Sequence, residues 1–284
     1  MAAIKGPAVF LAQFLRDVPP FNTLENICEW FADLGYAGVQ IPGWDRRVID
    51  IDQAATSSTY CEELKGKLAG FGLSITEVAA YLAGQVLAIH PAYEAGFAGF
   101  HPSGLRGTER TEWAANEVRK YIEASAKLGL RNIPVLSGGF AWHLIYPWPQ
   151  RPPGLIDEAF KELARRWRPL LDYARDRGCV LGFELHPGSD VHDGATFEMS
   201  ITPTTIPLLA STTIRAISCC SSSTTARLSS CMASGSVAFT SRTPSSGRAD
   251  ASASMAGISP GINGPAASAR WATARSTSNA YSRC

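Results

Sequence analysis

Beyond Met199 this chain has not one Lys, Glu or His, and Asp250 is the only acid there. That break constrains the fold more than any local pattern, because it divides one chain into two unlike polymers. Up to Met199, carboxylates and bases are scattered through apolar segments, as in an ordinary soluble α/β protein. After it Ser, Thr, Ala and Arg dominate, as in Ser221-Ser222-Ser223-Thr224-Thr225 and Ala251-Ser252-Ala253-Ser254. Of the 26 Lys+Arg and 25 Asp+Glu, residues 200–284 hold 7 and 1, leaving 19 and 24 to residues 1–199. The formal charge is therefore about −5 on the first part and about +6 on the second. Residues 1–199 are expected to carry the core. Residues 200–284, depleted of charge and large apolar side chains, are expected to be disordered and to form no core of their own.

The first part alternates strand and helix. Ala8-Val9-Phe10-Leu11 suits a short buried strand, and Asn22-Thr23-Leu24-Glu25 opens a helix that Ile27, Phe31 and Leu34 continue on one face until Gly35. Ala37-Gly38-Val39-Gln40-Ile41 reads as a second strand, and Thr59-Tyr60-Cys61-Glu62 opens a second helix with Leu64 and Leu68 inward. Leu73 to Val78 forms a third strand. A long loop through His90-Pro91 and His101-Pro102 then leads to a helix over Thr111 to Leu128. Asn132 to Leu136 is a fourth strand despite Pro134, which normally belongs on a sheet edge. A helix from Ile156 to Arg177, a strand over Val180 to Glu184 and a helix start at Thr196 complete the pattern.

Strict alternation with apolar strands implies a parallel sheet covered by helices. No G-x-G-x-x-G follows the first strand, so the dinucleotide-binding fingerprint is missing. Polar residues instead fall at the C-terminal strand ends: Gln13, Gln40, Glu77, Ser137 and Glu184-x-His186. A (β/α) barrel gathers its site on that face, so the expected fold is a partial (β/α)8 barrel of about five βα units. The run Ala8 to Ala12 is too short for a membrane span and lacks a signal-peptide cleavage region. Cys28, Cys61 and Cys179 show no C-x-x-C spacing and read as buried core thiols, so cytoplasm is the expected compartment. Arg165-Arg166-x-Arg168 reads as a solvated helix face, and the negative first part argues against nucleic acid.

Glu184 and His186 project to one side if their strand persists, since side chains alternate with period two. A carboxylate and an imidazole at a strand exit can hold a divalent cation or exchange protons with a substrate. The alternative is a salt-bridged Glu beside a solvated His. Gln40 and Glu77 end neighbouring strands and are candidate substrate contacts, although Glu77 could equally pair with an Arg of a nearby loop. His90, Trp142 and His143 lie in loops rich in aromatics, whose faces stack on sugars but also pack barrel rims. Packing is the expected role of Trp148.

Several motifs together carry a resemblance. Gly6 to Phe14, Gly38-Val39-Gln40-Ile41-Pro42, Tyr146 to Pro152, Glu184-x-His186-Pro187-Gly188 and His192 to Met199 resemble the sugar phosphate isomerase/epimerase family, over residues 4–199. The resemblance implies a xylose isomerase-like TIM barrel holding one divalent metal (Mn, Mg or Zn) through Glu, Asp, His and Glu from four strands. It also implies proton transfer across a metal-stabilised enediolate, with a sugar or sugar phosphate as substrate. By this resemblance Glu184 is the first metal-ligand Glu and a catalytic residue, and His186 is a neighbouring active-site His. The other three ligands have no match in the chain.

They emerge when the tail is read in another frame. Codons for Thr213 to Thr225, read one base earlier, permit Y-D-P-S-H-F-V-L-Q-Q-L-D-Y, the family's next strand-end motif. With the same offset, Phe239 to Gly247 permits V-H-V-K-D-A-E-F-R, and Ala267 to Ser278 permits R-F-R-S-L-G-D-G-Q-V-D-F. A ligand Asp would then have stood at Ile214, a ligand His at Thr240, and the last Glu beyond Cys284. The expectation is an inactive, frameshifted derivative of a metal-dependent isomerase or epimerase that binds metal weakly or not at all. The alternatives are an endonuclease IV-like metal-dependent hydrolase of the same superfamily, which needs many His ligands and a basic groove, or a non-enzymatic remnant or binding module.

Overall fold

The computed structural model of the protein describes residues 6–144, 152–201, 214–218 and 237–241. Five parallel strands stand where the alternation placed them: β1 (Ala8–Phe10), β2 (Gly38–Pro42), β3 (Ser74–Ala79), β4 (Asn132–Val135) and β5 (Val180–Leu185). Two more, β6 (Ile214–Ser218) and β7 (Val237–Ser241), lie beyond Met199, where periodicity predicted none. Their sequences, IRAIS and VAFTS, are short and rich in β-branched and small residues, enough to join an existing sheet edge. The rest of the expectation about the tail lies outside the described residues. All the strands belong to one unit, Met1–Thr243; the second unit, Pro244–Cys284, is not among the described residues.

The sheets run β1-β2-β3 and β4-β5-β6-β7, every pair parallel. The Ala80 N–H donates to the Pro134 carbonyl at 2.8 Å, and an isolated parallel bridge joins Ile89 to Gly139, so β3 and β4 adjoin without a regular ladder. This explains how β4 accommodates its proline. In a strand the N–H and C=O of one residue point to the same side, and the Pro134 carbonyl points at β3. The missing N–H is therefore lost on the side where no ladder runs, and the Pro134–Gly182 pairing with β5 is kept.

The helices follow from caps and apolar spacing. In α1 (Leu24–Asp33) the Thr23 hydroxyl accepts the Asn26 N–H at 3.3 Å, and Leu24, Ile27, Cys28 and Phe31 are buried at helical spacing. The cap, Thr23, lies within the Asn22–Glu25 stretch expected to open the helix. A short α2 (Ile51–Thr56), capped by Asp50, precedes α3 (Ser58–Gly70), capped by Ser57. The long loop expected before the fourth strand contains α4 (Tyr81–Leu87) and a 3-10 segment, Pro91–Phe100. After it come α5 (Gly107–Lys127), α6 (Leu155–Asp176) and α7 (Gly194–Ile201).

One apolar cluster runs from Leu11 to Phe197 and unites strands with helices. At its centre the fully buried Trp167 of α6 meets Phe183 of β5 edge to face, with ring centroids 4.9 Å apart, and its indole N–H donates to the Ser137 carbonyl at 2.8 Å. Cys28, Cys61 and Cys179 are free and buried, as expected. Arg166 departs from the solvated face expected of it. Its guanidinium donates to the Leu87 carbonyl (2.7 Å) and the Thr111 hydroxyl (3.0 Å), pairs with Glu162 and lies over the Phe140 ring. It braces α4, α5 and the loop after β4. Among the described residues no helix is long and apolar enough to cross a membrane.

Candidate functional site

Phe183 faces α6 through Trp167, so the period-two rule turns Glu184 to the opposite, inner side of the sheet. Glu184 is buried, 6% exposed, at the C-terminal end of β5. His186 lies just past the strand, where its Nδ1 is 2.6 Å from the Pro187 carbonyl oxygen and its backbone N–H reaches the Val191 carbonyl at 3.4 Å. The chain therefore turns at once after Leu185, and the imidazole belongs to that turn.

On the first sheet, Gln40 and Glu77 are register partners across a bulge between Val39 and Gln40. The buried Gln40 donates from Nε2 to Glu77 Oε2 at 2.8 Å, so the two expected substrate contacts are held together. Beside them an aromatic group forms at the exits of β1, β2 and β3. Phe10 meets Tyr81 (5.7 Å) and Trp44 (6.1 Å), and Trp44 meets Tyr81 (6.1 Å). Sequence reasoning missed this group. Phe10 ends β1 while Trp44 and Tyr81 follow β2 and β3, a relation visible only once the strands are aligned.

The other expected contacts, His90, Trp142 and His143, do come together. The rings of His90 and His143 lie 4.6 Å apart, and Tyr93 joins them at 5.9 Å and 5.0 Å. Trp142 packs on Tyr93 at 5.3 Å and on His143 at 6.1 Å. His90 Nδ1 accepts the Ala92 N–H at 3.2 Å, which caps the 3-10 segment and leaves the proton of a neutral ring on Nε2. His143 Nδ1 is buried with no hydrogen-bond partner. Burial, then the neighbouring His90, lower the His143 pKa against an opposing pull from Asp190, so the neutral ring is favoured.

The loop that presents Trp142 and His143 is stitched to the β5 exit. Gly139 N–H donates to the Ala88 carbonyl (2.7 Å), and Asp190 N–H to the Gly138 carbonyl (2.8 Å). The Ser137 hydroxyl accepts the Val191 N–H at 3.2 Å, and Gln85 bonds both the Gly188 carbonyl (3.0 Å) and the Ser189 hydroxyl (2.8 Å). Gly138 has φ +73°, and a Cβ there would meet the Ala88 carbonyl oxygen at 2.5 Å, so this glycine is required by close passage as well as by conformation. Asp190, a residue that sequence reasoning passed over, is 1% exposed. Its position, in a Gly-Ser-Asp turn directly after a strand end, was the available signal.

Among the described residues the donor set does not fit the metal that the resemblance implies. Glu184 is paired in register with Ile217 of β6, which is paired with Thr240 of β7. The residues in register with Glu184 thus include no carboxylate and no imidazole, the donors that a hard cation needs. Ile214, the position inferred for the lost Asp, lies three residues before Ile217 in this register. Among the described residues no group of three or more His, Cys, Asp or Glu could hold a metal ion.

Solved structures of similar fold include a D-psicose 3-epimerase from Clostridium cellulolyticum H10 (9% identical, TM-score 0.46, covering 75% of this chain and 63% of that one). A 3-keto-D-glucoside 4-epimerase from E. coli (16%, TM-score 0.48, 75% and 68%) is another. A xylose isomerase domain protein from Planctomyces limnophilus (13%, TM-score 0.43, 76% and 64%) is a third. The chain spans less than two thirds of the first and third of these. No curated protein sequence matches it. The sequence model of one family, xylose isomerase-like TIM barrel, matches residues 28–202, more than half of the chain. The chain therefore belongs to the xylose isomerase-like TIM barrel family.

Proposed function

We propose that the chain derives from a cytoplasmic, divalent-metal-dependent isomerase or epimerase of sugars or sugar phosphates, and that as it stands it is inactive. Residues 1–199 are the inherited barrel part, and residues 200–284 are the product of a shifted reading frame. One observation carries the reading: the buried strand-end carboxylate Glu184 has no group of three or more His, Cys, Asp or Glu with it among the described residues, and Ile217 and Thr240, in register with it, are none of these. Glu184 is the retained metal-ligand carboxylate and His186 its neighbour. Gln40, Glu77, His90, Trp142 and His143 are the retained substrate contacts. The hydrogen-bonded Gln40–Glu77 pair and the aromatic group around His143 support this assignment. Three free, buried thiols fit a reducing compartment.

Without converging ligands, nothing in the donor set of the described residues would polarise a sugar carbonyl or stabilise an enediolate. The test is to restore the frame after codon 199, with any missing 3′ sequence, and to assay both products for ketose epimerisation with Mn²⁺ present. The restored protein should turn over a ketose and lose that activity on Glu184→Ala, while the present chain stays silent. Equal activity in both products would refute the reading.

A further inference from the structure

Three consecutive backbone N–H groups converge on one side chain of another loop. Phe140 N–H donates to Asp190 Oδ2 at 2.8 Å, and Ala141 and Trp142 N–H donate to Asp190 Oδ1 at 2.7 and 2.8 Å. The carboxylate is almost wholly buried, so these bonds stand in for its water. We infer that Asp190 is a positioning residue: its carboxylate, reaching from the β5 exit, sets the loop after β4 so that Trp142 and His143 meet His90 and Tyr93 of the loop after β3.

Several features support the assignment. A run of three N–H groups on one turn forms a concavity suited to an anion, and an internal carboxylate fills it with charge-assisted bonds. The Asp190 backbone is also tied to the base of the loop, through its own N–H to the Gly138 carbonyl, so backbone and side chain grip the loop at separate points. The next groups along the loop are Trp142 and His143 themselves, and His143 feels the Asp190 charge. The ionisable groups facing His143 are His90 and Tyr93 from the β3 side and Asp190 from the β5 side. One buried anion thereby couples the exits of β3, β4 and β5.

The purpose given to the cluster rests on the function proposed above. The test uses no sugar, so its failure and that of the epimerase reading are distinguishable. Amide exchange and imidazole titration are followed by NMR on the full chain and on Asp190→Ala, Asp190→Asn and Asp193→Ala. In the unmodified chain the amides of Phe140, Ala141 and Trp142 should be strongly protected. Asp190→Ala should release all three and return the His143 pKa toward its ordinary value of about 6.5 as the ring becomes solvated. Asp190→Asn keeps one acceptor oxygen. It should release mainly the Phe140 amide and lower the His143 pKa further, because the loop stays while the negative charge goes. Loss of packing alone would not produce these opposite shifts. Asp193→Ala removes a neighbouring carboxylate that caps α7 and should move neither readout. Fast exchange at 140–142 in the unmodified chain overturns the inference even if the variants do not fold. So would an Asp190→Ala variant that leaves His143 and the three amides unchanged, or an Asp193→Ala variant that reproduces its effects.

Discussion

Replacing Trp167 should be among the most damaging single changes to the folded part. The side chain is fully buried, packs edge to face on Phe183 at 4.9 Å and donates its indole N–H to the Ser137 carbonyl at 2.8 Å. Ser137 also receives the Val191 N–H, so the indole holds the point where the β4 and β5 exits are joined. Trp167→Ala removes the whole ring and should cost about 3–5 kcal/mol, a large share of the roughly 5–15 kcal/mol of a typical domain. Trp167→Phe keeps most of the apolar contact but strands a buried carbonyl, for about 1–3 kcal/mol. Urea unfolding followed by far-UV circular dichroism reads both. With a slope of about 2 kcal/mol/M, the Phe variant should lose on the order of 1 M in midpoint and the Ala variant about twice that. A Trp167→Phe midpoint within about 0.2 M of the unmodified chain would mean that the indole hydrogen bond does not hold the exits together.

Gly139→Ala should lower the melting temperature and perturb the aromatic group, because the added Cβ would stand 2.5 Å from Trp142 Cδ1 and 3.2 Å from Asp190 Oδ1. Gly96→Ala, where nothing lies within 4 Å, is the control. Acid should weaken the fold in two windows. His143, its pKa lowered chiefly by burial, binds fewer protons folded than unfolded, so stability should fall as the pH drops below about 6.5. Glu162, held at about 2 first by its hydrogen bonds to Arg165 and then to Arg166, contributes stability that is fully present above its unfolded value of 4.5 and disappears as the pH falls through about 2. With a third of its side chain exposed, that contribution is discounted to about 1 kcal/mol. Melting-temperature series on Glu162→Gln and His143→Phe should each flatten only their own window, and a slope unchanged in both would refute the assignments.

Much of the barrel was legible because its signals are local. Apolar strands, caps and 3.6-residue spacing sit within short windows, and the strand ends placed Gln40, Glu77 and Glu184 on one face before any contact was known. What stayed hidden depends on distant partners. Asp190 is one more carboxylate in a loop until the N–H groups of residues 140–142, some fifty positions away, converge on it. Arg166 looked solvated because helix periodicity cannot reveal that the Leu87 carbonyl and Phe140 ring lie above it. The strands β6 and β7 escaped for another reason. Each is only five residues long, too short for a clear alternation, and the parallel pairing of β6 with β5 and of β7 with β6 supplies the context that their sequences alone lack. Pro134 shows the reverse: a residue that argued against a strand is tolerated because its missing N–H faces β3, where no ladder runs.

Calorimetric titration of the purified chain with Mn²⁺ decides whether Glu184, the proposed remaining ligand carboxylate, belongs to a working metal site. No tight, stoichiometric binding and no difference on Glu184→Ala are expected. One equivalent of Mn²⁺ bound with micromolar or better affinity, and lost on Glu184→Ala, would contradict it.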